Sequence, residues 1–226
     1  MRLWDLHSEE EEKMNTPEKI LEKLYIDYPE LSVNKEEILR AFCLLKTCAA
    51  NDAFIYCCGN GGSAADSEHI TGELMKGFIL KRPLPEKEKM QFDSVEGGRE
   101  IANRLQKGIR CISLVSQTGL ISAFANDIDP SLVFAQQVYA YAKSEHDVLI
   151  ALSTSGNSLN VVNAVKAAKA AGIKSIGITG EKDSLMSALC DVTIKLPTAI
   201  TYEVQEFTLP VYHALCAAAE AEFFSE

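Results

Sequence analysis

Residues 53–63 read AFIYCCGNGGS and residues 64–75 continue AADSEHITGELM. The first six are apolar without alternation, which is how a strand covered on both faces reads. Glycines at 59, 61 and 62 permit a sharp turn, and a helix is predicted from about Ala64 to Met75. The same unit recurs at 147–171, as the apolar run DVLIAL, the polar turn STSGNS and an Ala/Val-rich helix from Leu159 to Ala171 closed by Gly172. Further compact apolar runs stand at 111–115 (CISLV), 175–179 (SIGIT) and 191–196 (DVTIKL). Strand, turn and helix in repetition predict an α/β fold, a five-stranded parallel sheet in open, doubly wound form sandwiched by helices.

Two helices precede the first strand. Thr16-Pro17-Glu18 sets a capping residue before a proline at the first helical position, with Ile20, Leu21 and Leu24 at helical spacing. Asn34 opens a second helix, Lys35 to Ala49, whose Ile38, Leu39, Phe42 and Leu45 share a face. The last helix is expected from about Tyr202 to Phe224, with Pro210 inside it removing a backbone donor. Residues 1–14 read as a charged leader with Ser8 as a helix-cap candidate, and the single domain occupies 15–226. Residues 81–108 break the rhythm with two prolines, many charges and a Gly-Gly, and are helical in pattern only near Arg99 to Lys107. That segment is expected to be a lid or mobile insertion, outside both catalysis and the core.

Composition bounds the function. The 226 residues suffice for one large domain, and 47% hydrophobic with 24% charged residues describes an ordinary globule. No apolar run approaches the roughly 18 residues that span a bilayer, so no membrane role is expected. Charges of 22 Lys+Arg against 32 Asp+Glu leave −10, which offers no electrostatic footprint for nucleic acid. The seven cysteines show no CxxC pair, and MRLWDLHSEEEEK lacks the apolar core of a signal peptide. A cytoplasmic protein with reduced thiols is expected.

Three groups of residues carry chemistry. Gly59-Asn60-Gly61-Gly62-Ser63 joins a strand to a helix start, where free amides and the macrodipole attract anions. With Ala64 it also matches G-x-G-x-x-A, so a structural tight turn, a dinucleotide fingerprint and a phosphate or sugar cradle all remain open. Ser153-Thr154-Ser155-Gly156-Asn157-Ser158 offers four hydroxyls at another strand's carboxyl end, against the plainer reading of a capped polar loop. Ligands of open α/β sheets sit outside the carboxyl ends of strands, so two such loops favour a phosphorylated metabolite. His69 and Glu73 lie four apart on one predicted helix, and Gln205 and His213 eight apart on another. Together these four would make a ligand set acceptable to zinc or a similar divalent ion, although each taken singly reads as an ordinary surface or hydrogen-bonded side chain. His7 and His146 have no such partners and are expected at the surface.

CGNGGSAADSEHITGEL at 58–74, AND at 125–127, LSTSGNS at 152–158 and QEFTLPVYH at 205–213 occur in the order found in SIS (sugar isomerase) domains. From about Thr16 to Phe224 the chain resembles that family, most closely the bacterial phosphoheptose (sedoheptulose 7-phosphate) isomerases. The resemblance implies a homotetramer with active sites between subunits. It implies that Asn60, Gly61, Ser63, Ser153, Ser155 and Ser158 hold the phosphate and sugar, with Thr154, Asp127 and Gln205 beside the sugar. It implies Glu73 and His213 as the catalytic pair, and His69, Glu73, Gln205 and His213 as zinc ligands. Aldose–ketose interconversion moves a proton between C1 and C2 through an enediol, so a carboxylate on carbon and a titratable imidazole on oxygen suit the task.

Two readings compete. One is a non-catalytic SIS protein that senses a phosphosugar or binds a partner, as replication-initiator-associated members do; the full acid and histidine set argues for the enzyme. The other keeps the enzyme and changes the sugar, because Tyr202 and the 81–108 segment depart from the family pattern. For assembly, the apolar face of 35–49 and the Ala-rich stretch 209–224 are expected to pack between subunits.

Overall fold

The computed structural model describes residues 16–225; the 1–14 leader, with His7 and Ser8, lies outside them. Five strands, β1 (Ile55–Cys58), β2 (Cys111–Ser113), β3 (Val148–Leu152), β4 (Lys174–Thr179) and β5 (Val192–Lys195), form one sheet in the order β2-β1-β3-β4-β5. Every pairing is parallel, with Ile55 beside both Cys111 and Val148 and Ile176 beside Val192. β2 is shorter than its apolar run because Leu114–Ser116 coil into a 3-10 turn that sends Leu114 into the core.

The helices are α1 (Pro17–Asp27), α2 (Lys35–Ala50), α3 (Gly62–Met75), α4 (Glu86–Lys89), α5 (Gly98–Ala102), α6 (Thr118–Asp127), α7 (Val133–Tyr141), α8 (Leu159–Ala170), α9 (Leu185–Leu189) and α10 (Thr201–Phe224). Thr16 caps α1 through its hydroxyl, with Pro17 at the first position as the sequence predicts. α10 runs its 24 residues unbroken through Pro210.

The strands are apolar at successive positions because each face has its own helical cover. Ile55, Cys57, Val148 and Ile150 pack with residues of α1, α2, α3 and α10, while Tyr56, Cys58, Leu149 and Ala151 pack with α7 and α8. Asp147, buried at the foot of β3, is satisfied by the amides of Phe54, Lys143 and Ser144.

Two expectations are corrected here. Residues 81–108 do not stand outside the core: Arg82 and Ala102 are buried, and Pro83 and Gln106 form an antiparallel bridge that closes the segment on itself. The reason is an ion pair between Arg82 and Glu220, which draws the segment's root under α10. Nor is the Ala-rich stretch 209–224 an uncovered face, since Val211 to Leu215 and Cys216 to Ala221 are largely buried within the one chain, where α10 packs on α1, α2 and α3. Exposed apolar side chains persist instead at Ile26, Val33 and Leu39.

Candidate functional site

β1 and β3 are neighbours whose connections depart to opposite sides of the sheet, which opens a crevice at their carboxyl ends. The two loops singled out in the sequence flank it. Gly61 takes φ 56°, in the left-handed region, and turns the chain into α3. A side chain on Gly62 would meet the Gln205 amide, its Cβ falling 2.5 Å from Nε2. Asn60 and Asn160 join the two sides of the crevice by reciprocal amide bonds of 2.9 and 2.8 Å.

On the far side, Ser153 is buried and donates to Ser158 at 3.0 Å, while Ser155 accepts from the amide of Asn157 at 3.2 Å. Gly156 takes φ 64°, and its carbonyl accepts from Met186. The Thr154 carbonyl accepts from the amide of Gly180. Two helix starts, α3 and α8, therefore meet a set of hydroxyls and amides at one mouth, and neither loop contains a lysine or arginine. Such a mouth can hold an oxyanion through dipoles and neutral donors.

The acid and the imidazoles come from α3 and α10, which lie side by side in the same direction. Gln205 faces Gly62 and Tyr212 faces His69, both pairs 143 residues apart, and farther along Glu220 accepts from the amide of Phe78 in the turn beyond α3. His69 Nδ1 is hydrogen-bonded to the Tyr212 hydroxyl at 2.8 Å, and its Nε2 lies 3.1 Å from Glu73 Oε1. Lys76 donates to the other Glu73 oxygen at 3.0 Å. The His213 ring stands 5.0 Å from His69 and 5.3 Å from Phe78 between centroids. Its Nε2 is buried and has no hydrogen-bond partner among the described residues. Burial, and then the neighbouring His69, push the His213 imidazole below its ordinary value. Burial raises the Asp66 carboxyl, and burial together with Asp66 raises the Tyr212 phenol.

His69, Glu73 and His213 are thus brought together. Gln205 stays at Gly62, seven residues along α3 from His69, or roughly 10 Å at 1.5 Å per residue. Asp127, at the end of α6, is exposed and accepts from its neighbour Asn126, with no hydrogen bond to either loop among the described residues. No group of three or more His, Cys, Asp or Glu is arranged as a metal site among the described residues, and His69 spends its two nitrogens on Tyr212 and Glu73. The donor chemistry nevertheless fits a divalent ion: a carboxylate, two imidazoles, and in His213 a buried nitrogen with nothing to bind. His146 is part exposed, 4.0 Å from Glu145.

Sequence reasoning missed Tyr212, Asp66 and Asn160. Tyr212 and Asp66 had a usable signal, since each falls on the helix turn that presents His69 or His213. Asn160 had none, because its partner Asn60 is 100 residues away.

SIS domain profiles match residues 117–219 and 30–107. Phosphoheptose isomerase 2 of Campylobacter jejuni is 36% identical over 74% of this chain and 71% of that protein. The chain belongs to the SIS domain family. Another member, the phosphoheptose isomerase of Aneurinibacillus thermoaerophilus, is 32% identical over 88% of this chain and 90% of its own. Among solved SIS structures, phosphoheptose isomerase from Neisseria gonorrhoeae superposes with a TM-score of 0.66 at 29% identity, covering 90% of this chain and 91% of that one. With these relatives, the chain is an isomerase.

Proposed function

We propose that this SIS-family isomerase interconverts a phosphorylated ketose and aldose through an enediol, converting sedoheptulose 7-phosphate to D-glycero-D-manno-heptose 7-phosphate. The observation that carries the reading is the packing of Glu73, His69 and His213, with the carboxylate 3.1 Å from one imidazole and the second imidazole edge-on to the first.

In this reading Glu73 carries the proton between C1 and C2. It is held as an acceptor by His69 and Lys76 and is largely screened from solvent, which suits a carboxylate that must take a carbon-bound proton. His213, whose imidazole burial pushes below its ordinary value, would pass a proton to the developing enediol oxygen and take it back. Tyr212 fixes the ring of His69, which in turn orients Glu73. Ser153, Thr154, Ser155 and Ser158, with Asn60, Gly61 and Ser63, grip the phosphate and the sugar chain, supplying orientation rather than chemistry. A divalent ion such as zinc, held by His69, Glu73 and His213, would supply Lewis acidity toward the sugar oxygens.

Glu73 lies eleven residues down α3 from Gly62, about 16 Å by helical rise, so the phosphate grip and the acid–base pair of one chain stand well apart. That separation favours a homotetramer whose sites combine the loops of one subunit with the α3–α10 face of another, Asp127 included. All seven cysteines are free thiols, in keeping with a cytoplasmic enzyme.

The test is turnover of sedoheptulose 7-phosphate by protein purified without chelator, followed by NMR for aldose formation and for deuterium uptake at the exchanging carbon. Glu73→Gln is expected to lower kcat on the order of a thousandfold while leaving phosphosugar binding intact. Binding without turnover of any ketose phosphate by the wild-type protein would leave a phosphosugar sensor in place of an enzyme.

A further inference from the structure

Arg82 and Glu220 form an ion pair, Nε to Oε1 at 2.7 Å, with side chains 0% and 1% exposed. The Glu220 carboxylate also accepts the successive amides of Phe78, Ile79 and Leu80 at 2.8, 2.7 and 3.0 Å. All four donors are used on one carboxylate that water does not reach. The remaining arms of the Arg82 guanidinium do not meet a second acid. They donate to the carbonyls of Leu74 at 2.8 Å and Glu73 at 3.2 Å, the last turn of α3.

Two chains of contact therefore leave this pair. Through Arg82 it caps the helix end that carries Glu73, where orphan carbonyls otherwise fray. Through Glu220 it fixes the backbone of Phe78, whose ring packs on His213. His213 and Glu220 are seven residues apart on α10, so they share a face, and the pair ties that face to the end of α3 one turn or two beyond the chemistry. A buried ion pair is weak in net stabilisation, because desolvation offsets most of the attraction, so its presence is poorly explained by stability alone.

We propose that Arg82 and Glu220 are positioning residues for the isomerisation, setting the distance and angle between Glu73 and His213. This rests on the reading of those two side chains as base and acid. The guanidinium fork spans Glu220 on α10 and the Glu73 and Leu74 carbonyls on α3, a bridge that a single ammonium cannot make.

The experiment compares Glu73→Gln, Arg82→Lys and the charge-free double variant Arg82→Met with Glu220→Gln, in steady-state turnover of sedoheptulose 7-phosphate. Arg82→Lys keeps a cation opposite Glu220 but gives up the fork; the double variant avoids leaving one buried charge alone. The expected result is a kcat lower by roughly 10- to 100-fold, with KM within about twofold, in a variant whose Tm and circular dichroism match the wild type. A purely structural pair would not split kcat from KM in this way. Wild-type kcat in a folded variant overturns the proposal, and so does a loss of kcat that only follows the folded fraction. Normal turnover by Glu73→Gln overturns instead the assignment of the base, and the proposal with it.

Discussion

The rings of His69 and His213 stand edge to face, their planes 86° apart. The arrangement brings the edge of one imidazole near the other, so a proton on His69 disfavours one on His213.

The sign of the consequence for pH is fixed by linkage. The His213 imidazole is depressed in the folded chain, so below the ordinary histidine value the unfolded chain binds the proton more readily. Its contribution is complete above about pH 6.5 and is lost as pH falls. In chelator-treated protein, Tm is expected to drop as pH falls below about 6.5, and His213→Gln should flatten part of that drop. Parallel curves for the two proteins would show that the imidazole is not depressed.

Tyr212→Phe removes the hydroxyl that holds His69 Nδ1 at 2.8 Å. The cost in stability is expected to be about 0.5–1.5 kcal/mol by denaturant unfolding. Because the bond orients a ring rather than a substrate, kcat should fall about tenfold with KM nearly unchanged. An unaltered kcat would remove Tyr212 from the site.

Gly156→Ala tests the second loop. The residue sits at φ 64°, and an added Cβ would lie 2.1 Å from Ser184 Oγ and 2.6 Å from its Cβ. Loss of about 1–3 kcal/mol is expected from the strained backbone alone. KM for the phosphosugar should rise more than kcat falls, the opposite split from that expected for Arg82→Lys.

The Asn60–Asn160 pair lends itself to a double-mutant cycle in thermal unfolding. Each single alanine variant should cost about as much as the double, with a coupling near 0.5–1.5 kcal/mol. Strict additivity would mean that the two amides do not hold the crevice together.

Much of this was legible in the sequence because the signals were local. DVLIAL announces β3 since both faces of that strand are covered, and the glycine loop announces its own turn because Gly61 needs a positive φ. The nearness of His69 to Glu73 follows from helical periodicity alone. What escaped depends on distant partners. Arg82 lies in KRPLPEKEK, which reads as solvent-exposed charge, and Glu220 lies in AAAEAE, where nothing nearby marks one acid as buried. Only a partner 138 residues away makes either burial affordable.

The matched stride of α3 and α10 has a consequence for how this gene can drift. Each added or deleted residue inside either rod would swing everything past it by about 100° and slide it by about 1.5 Å, like gears that skip a tooth. Substitutions there can be absorbed one by one, but a shift in length within 63–72 or 206–212 would throw glutamate and imidazole out of phase at a stroke. Variation in length belongs in the excursion between Arg82 and Lys107, whose ends are pinned together by a backbone bond and whose middle can grow without the rods noticing.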